Sequence, residues 1–105
     1  MAGLYSMADL LGLIEQHGAQ ELRIEAGKPP VLFVKGRARS LELPSPANDD
    51  IQQLFRSLAT PEQIRELQAC GDVRFLYSSA DSARFNIAAA LQGEQLSLQI
   101  RNLRI

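Results

Sequence analysis

The sequence has few of the residue types that hold a protein together covalently or through a metal. Its 105 residues include one cysteine, Cys70, one histidine, His17, and no tryptophan. A single cysteine excludes an internal disulfide and is typical of a reducing compartment, so we expect a cytoplasmic location. One histidine and one cysteine cannot form a His/Cys metal cluster within a chain. We therefore expect no metal site and no cofactor.

An excess of charge of one sign and long apolar runs are also missing. The 11 basic and 12 acidic residues leave a net charge of -1, which argues against a nucleic-acid partner bound by bulk electrostatics. No apolar run approaches the roughly 18 residues of a membrane span. Residues 1–6 carry no Lys or Arg, and Asp9 and Glu15 interrupt the stretch that follows, which excludes a secretory signal. We expect a soluble protein without membrane insertion.

The composition that remains is that of a small globular protein. Hydrophobic residues make up 46% and charged residues 22% of the sequence, so wholesale disorder is not expected. The length supports one compact domain with a modest core, over residues 1–105.

The chain is organised around a predicted strand pair between Glu21 and Gly36. Apolar residues at 22, 24 and 26 alternate with charged ones, which is the period of a strand with one buried face. Gly27-Lys28-Pro29-Pro30 ends this strand, because prolines donate no ladder hydrogen bonds and Gly27 can turn at positive φ. The apolar run 31–34 predicts a more buried second strand, and residues 37–43 predict a third.

Three helices are predicted from their start signals and apolar spacing. Ser6-Met7-Ala8-Asp9 and Thr60-Pro61-Glu62-Gln63 fit capping boxes, and Asn48 is the expected N-cap of the helix between them. Three alternating runs after Gly71 predict three more strands. The order α-β-β-β-α-α-β-β-β favours an α+β fold with a mostly antiparallel, five- to six-stranded sheet and helices on one face.

None of the candidate catalytic motifs has the residues that its chemistry requires. Gly27-Lys28 resembles part of a P-loop, but Pro29 replaces the Ser or Thr whose hydroxyl would hold magnesium. Asp49 and Asp50 diverge by about 100° on a helix and are explained as a helix start. Nothing resembles a nucleophile with its base. We predict that this chain is not an enzyme by itself.

Basic residues are the remaining candidates for function. Lys35, Arg37 and Arg39 alternate, so a strand would place all three on one face. Arg74, Arg84 and Arg101 share a face if the last three strands are sequential neighbours. Each stripe is either a solvated sheet face or a docking surface for an acidic or phosphate-bearing partner. The sequence leaves both interpretations open.

The chain resembles the N-terminal domain of the secretion ATPase superfamily, within it the PilT-type twitching-motility ATPases of type IV pilus retraction. The matching residues extend from about Ala8 to Leu103. They are Gly18-Ala19, Leu22-Arg23-Ile24, Ala26-Gly27-Lys28-Pro29-Pro30, Val34-Lys35-Gly36, Leu43-Pro44, Asp72 and Ala83-Arg84-Phe85. The chain departs from the family pattern at Gln20-Glu21, where the family has Ser-Asp, and at Asn86-Ile87-Ala88, where it has Arg-x-Asn.

The resemblance implies a PAS-like module that packs on RecA-like catalytic domains in a hexameric ring. It implies a contact from Arg84 to the nucleotide cleft or a neighbouring subunit, and structural or interface roles for Lys28, Pro29 and Pro30. Past Ile105 the family would enter a linker and the P-loop domain, so none is expected within this chain.

Two functions follow as hypotheses. Both involve a protein partner, and both allow self-association. The first is a non-catalytic N-terminal assembly domain of a pilus or secretion motor. The second is a free-standing adaptor of motility or secretion with the same fold. A small-ligand sensor rests on analogy between folds alone.

Overall fold

The computed structural model describes residues 5–79 and 83–103 of the chain. The elements follow the predicted order. They are α1 (Met7–Gln16), β1 (Glu21–Ile24), β2 (Val31–Val34), β3 (Arg37–Ser40), α2 (Asn48–Leu58), α3 (Pro61–Cys70), β4 (Asp72–Ser78), β5 (Arg84–Gln92) and β6 (Gln95–Asn102). None of these helices has the length and apolar content to span a bilayer, as far as the described residues go.

The six strands form one open sheet in the order β3-β2-β1-β6-β5-β4, and every neighbouring pair is antiparallel. The first and last strands are therefore neighbours at its centre, with Leu22 opposite both Leu32 and Ile100. The predicted α+β class and antiparallel sheet are confirmed. The fold is compatible with a PAS-like arrangement, which stays a prediction.

The core lies between the helices and one side of the sheet. Directly paired residues of antiparallel strands point to the same side, so the register identifies the buried side of each strand. Apart from Pro30 and Pro46, its largest fully buried side chains come from α1, α2 and four strands, and they are Leu10, Ile14, Leu22, Ile24, Leu32, Ile51, Phe85, Ile87, Leu98 and Ile100. The core helices thus cover one side of the sheet.

Two of the predicted helix starts are confirmed and one is wrong. Ser6 and Asp9 bond reciprocally across the first turn of α1, and Thr60 and Gln63 do the same in α3. In α2 the N-cap is Ala47 and Asn48 is already helical. Ala47 has no side-chain acceptor, so only half of a capping box forms there, in which the Ala47 N–H donates to the Asp50 carboxylate.

The strand expectations fail in two places. β3 ends at Ser40, three residues before the predicted end, so Leu41 and Leu43 pack against the core from outside the strand. In β2 only Leu32 is buried, and the other three residues are half-buried. Val31 and Phe33 are half-buried because β2 alternates between a side covered by helices and a side that is not, and Val34 packs against the core at the end of the strand.

Candidate interaction surface

One side of the sheet has no helix over it among the described residues, and we call it the open face. The register places on it the side chains of Glu21, Arg23, Val31, Phe33, Ala38, Ser40, Asp72, Arg74, Leu76, Ser78, Arg84, Asn86, Ala88, Ala90, Gln92, Gln95, Ser97, Gln99 and Arg101. It has charged and small side chains, and it includes Leu76, which is 72% exposed. This uncovered sheet face is a surface that a partner could cover.

A polar network occupies the centre of the open face. Arg23 Nε donates to Glu21 Oε2 at 2.6 Å, and Gln99 Nε2 donates to Glu21 Oε1 at 2.8 Å. Arg101 Nε lies 4.0 Å from the same Oε1. The Glu21 side chain is only 9% exposed, because these neighbours surround it. Both carboxylate oxygens are therefore paired, as burial of a charge requires.

Strand pairing assembles this network from distant parts of the sequence. Glu21 is opposite Arg101 and Phe33, and Arg23 is opposite Gln99. The Arg23 guanidinium also lies over the Phe33 ring, 4.6 Å from its centroid. This cation–π contact covers part of an aromatic ring that no helix covers, which explains why Phe33 is half-buried on an open side.

A shallow depression of about 240 Å³ lies beside the network. It is lined by Arg74, Asn86, Ala88, Gln99 and Arg101. The alanine is opposite both Arg74 and Gln99, and its small side chain leaves the space between longer neighbours. The depression therefore has two guanidinium groups at its rim and a methyl group at its floor.

The arginine stripe predicted from the last three strands is confirmed. Arg74, Arg84 and Arg101 all belong to the open face, because β4, β5 and β6 are sequential neighbours in the sheet. Arg84 is exposed at the first position of β5, opposite Ser78, and its carbonyl accepts from the Leu103 N–H. It lies at one end of the open face, and its role stays a prediction.

The prediction that Lys35, Arg37 and Arg39 share a strand face is wrong for Lys35, and only Arg37 and Arg39 share one. Lys35 and Gly36 form the two-residue turn of the β2–β3 hairpin, with φ of 53° and 79°. Two positive φ values are typical of a type I′ turn, which matches the twist of the strands. Arg37 and Arg39 are exposed in β3, opposite Val34 and Leu32, so they lie at the sheet edge on the helix side and not on the open face.

Lys28, Pro29 and Pro30 lie at the opposite end of the sheet from Arg84. Gly27 turns at a φ of 80°, as its position predicts, and Lys28 Nζ is 3.8 Å from Glu25 Oε2 on the surface. Pro29 is exposed, whereas Pro30 is fully buried and its carbonyl accepts from Leu41. The seven residues predicted as candidates therefore do not form one surface.

A groove of about 450 Å³ separates α2 and α3 from the β5–β6 turn. It includes Phe55, Ile64, Leu91, Arg56 and Glu94. At its end, Asn48 Nδ2 donates to the carbonyl of Glu94, and the Leu96 N–H donates to Asn48 Oδ1, both at 2.8 Å. Asn48, predicted from its position to be an N-cap, thus attaches α2 to the β5–β6 turn.

The sequence pattern did not predict the network around Glu21. Glutamate and arginine alternate in β1, and glutamine and arginine alternate in β6. Only the pairing of these two strands shows that the four side chains meet. Within residues 5–79 and 83–103, no group of three His, Cys, Asp or Glu side chains could hold a metal ion.

The chain is similar to the same kind of ATPase in sequence and in structure. No protein-family model matches the chain. The type IV pilus retraction ATPase PilT of Pseudomonas aeruginosa is 24% identical over 97 residues, which cover 92% of this chain and 28% of that protein. The chain is a partial homologue of PilT.

The solved structure of the pilus retraction motor PilT with bound ADP superposes with a TM-score of 0.87, at 21% identity, over 94% of this chain and 29% of that one. The Legionella pneumophila ATPase DotB gives 0.79 at 18% identity, over 97% and 31%. The fold is that of the N-terminal region of PilT and DotB. The chain spans less than a third of the length of these relatives.

Proposed function

We propose that the chain is a non-catalytic assembly domain of a type IV pilus or secretion motor ATPase. The observation that carries this proposal is its similarity to PilT, over 92% of its length in sequence and 94% in fold. Its role is to pack against catalytic domains of the same motor, in the same or a neighbouring subunit, and to move with them as a rigid body. The open face is the surface available for this packing.

The residues described by the structure suit packing better than chemistry. The ionisable side chains with the closest contacts, Glu21 and Arg23, bind each other on the open face. A catalytic base would instead have an oxygen free to accept a proton from a substrate, whereas both Glu21 oxygens already accept hydrogen bonds. The domain therefore contributes surface and orientation, and the chemistry belongs to the catalytic domain.

Reading the coding sequence downstream of codon 105 tests the proposal directly. An in-frame Gly-x-x-x-x-Gly-Lys-Ser/Thr motif supports the motor domain, whereas a stop codon contradicts it. A second measurement is ATP hydrolysis by the purified chain, which we expect to equal the buffer blank. Turnover that increases with chain concentration and persists through a further purification step would refute the non-catalytic role.

A free-standing adaptor is the second candidate, and Asn86 and Ala88 favour it. They occupy the positions where the family pattern has Arg and Asn, and both lie on the open face. A chain without its own catalytic domain has no need of those two side chains. Light scattering on the chain, alone and with the PilT-type ATPase of the same genome, tests this function. A complex of defined stoichiometry supports it, and a monomer that does not bind the ATPase contradicts it.

A further inference from the structure

Charge is distributed unevenly between the two sides of the domain. The open-face strand positions carry four arginines, Arg23, Arg74, Arg84 and Arg101, against two carboxylates, Glu21 and Asp72. Helices α1 to α3 carry six carboxylates against two arginines. A chain with a net charge of -1 thus presents a basic open face and an acidic helix layer. Such a surface attracts acidic partners to one side only.

The arginines of the open face are not equally available. Arg23 is engaged by Glu21 and by the Phe33 ring. Glu21 accepts from Arg23 and Gln99, so Arg101, at 4.0 Å, makes at most a weak ion pair. The Arg74 side chain has no hydrogen bond or ion pair with any described residue. The guanidinium groups of Arg74 and Arg101 can therefore bind an added anion.

These two arginines lie on either side of the depression over Ala88. The depression is shallow and open along the sheet face, so it suits a side chain presented by a partner surface better than an enclosed small molecule. A carboxylate matches the planar donor fork of a guanidinium, and the Asn86 amide adds a further donor. The exposed Leu76 is opposite Asn86 and next to the depression.

We propose that the depression between Arg74 and Arg101 binds an acidic side chain of a protein that packs on the open face. The adjacent Leu76 favours a protein surface over a free anion, because a partner that brings an apolar side chain also covers this leucine. The inference rests on the proposed function in that the partner is a protein. It assigns the contact to one pair of arginines.

Amide chemical-shift mapping at low salt tests the site on the isolated chain. The probes are the peptide acetyl-Glu-Leu-Glu-Leu-Glu-amide and, separately, inorganic phosphate. We expect peptide-induced shifts to concentrate at residues 74, 76, 86, 88, 99 and 101, with phosphate producing them only at much higher concentration. Equal effects of the two probes at equal concentration would overturn the assignment to a protein side chain.

Matched variants distinguish peptide binding at this site from nonspecific electrostatic attraction to the domain. Arg74→Gln should weaken peptide binding about five- to tenfold, the loss expected for one charge-assisted pair. Arg65→Gln removes the same charge from α3 on the other side of the domain, so it should change binding less than twofold. Equal losses in the two variants would refute the proposal.

Ala88→Leu fills the depression without changing any charge, and it should abolish the shifts at Arg74 and Arg101. A dispersed amide spectrum shows that each variant is folded. Retained binding by a folded Ala88→Leu variant would contradict the site. The coding-sequence test of the proposed function is independent of all these measurements, so either conclusion can fail alone.

Discussion

The side-chain amide of Gln99 donates a 2.8 Å hydrogen bond to the carboxylate of Glu21, 78 positions earlier in the chain. This bond crosses the pairing of β1 with β6 at the centre of the sheet. Only 9% of the Glu21 side chain is exposed, so solvent competes weakly for its oxygens. The contact therefore joins the two halves of the open face.

We predict a measurable coupling between these two residues. A double-mutant cycle of Glu21→Ala and Gln99→Ala, followed by urea unfolding, should give a coupling free energy of about 1 kcal/mol, since the acceptor is charged and shielded. The control cycle pairs Glu21→Ala with Arg101→Ala, whose groups are 4.0 Å apart, and should give less than about 0.5 kcal/mol. A larger coupling free energy for the control pair than for Glu21 and Gln99 would contradict the network.

Asn48→Ala should destabilise the fold by about 1–2 kcal/mol. The substitution removes two 2.8 Å hydrogen bonds and leaves the partly buried Leu96 N–H without its acceptor. Gln52→Ala, one turn later on α2 and in the same groove, is the matched control and should cost less than about 0.5 kcal/mol. Urea midpoints measure both, and equal losses would show that Asn48 does not hold the β5–β6 turn.

Asn48→Asp separates the two bonds. The variant keeps an acceptor for the Leu96 N–H and loses the donor to the Glu94 carbonyl. We expect its stability to lie between those of the native chain and Asn48→Ala.

Lys35→Asn should stabilise the domain by about 0.5–1 kcal/mol. Lys35 has a φ of 53°, in a region where asparagine is tolerated better than other residues with a side chain. Lys28→Asn makes the same change at a residue without positive φ and should leave stability within about 0.5 kcal/mol. Thermal unfolding compares the two, and a gain at position 28 equal to that at 35 would refute the turn explanation.

Stability should fall at alkaline pH through Tyr5. Burial, and secondly the Asp50 carboxylate, raise the pKa of the Tyr5 phenol above its ordinary value of 10.0. The unfolded chain therefore loses this proton first, and the contribution of Tyr5 is present below pH 10 and lost as the pH rises through the folded pKa. Urea unfolding of the native chain and Tyr5→Phe between pH 9 and 11 isolates this effect, because other groups titrate in both.

Asp50→Asn should lower the Tyr5 pKa towards 10.0, since it removes a carboxylate that raises it. Absorbance titration at 295 nm follows the phenol. Asp49→Asn is the control, because that neighbouring carboxylate is not a cause of the Tyr5 shift. Equal shifts in both variants would exclude a specific effect of Asp50.

Local chemistry in the sequence predicted the order of the elements and most of their ends. The capping residues Ser6 and Thr60 and the turning Gly27 act within a few positions of themselves, so a short window contains their partners. The shared face of Arg74, Arg84 and Arg101 also followed, because consecutive strands joined by short turns pair as neighbours.

The sequence did not predict the contacts between residues that are far apart in the chain. Glu21 meets its partners because β1 pairs with β6, and no local signal in the sequence specifies that pairing. Asn48 satisfied the pattern of an N-cap, but its amide bonds with Glu94 and Leu96, more than 45 positions away. Lys35 followed an apolar run in extended chain, and a type I′ turn with a lysine is an exception to the usual Asn-Gly or Gly-Gly.

The central position of the first strand has a consequence for biosynthesis. β1 has an antiparallel neighbour on one side as soon as β2 emerges, but its other edge stays open until β6 leaves the ribosome. During that interval a nascent chain exposes β-sheet hydrogen-bonding groups beside an apolar surface, the combination that invites association with other chains. Ordering of the domain in the cell should therefore coincide with arrival of its final strand, and a ribosome stalled ahead of β6 should hold a protease-sensitive chain.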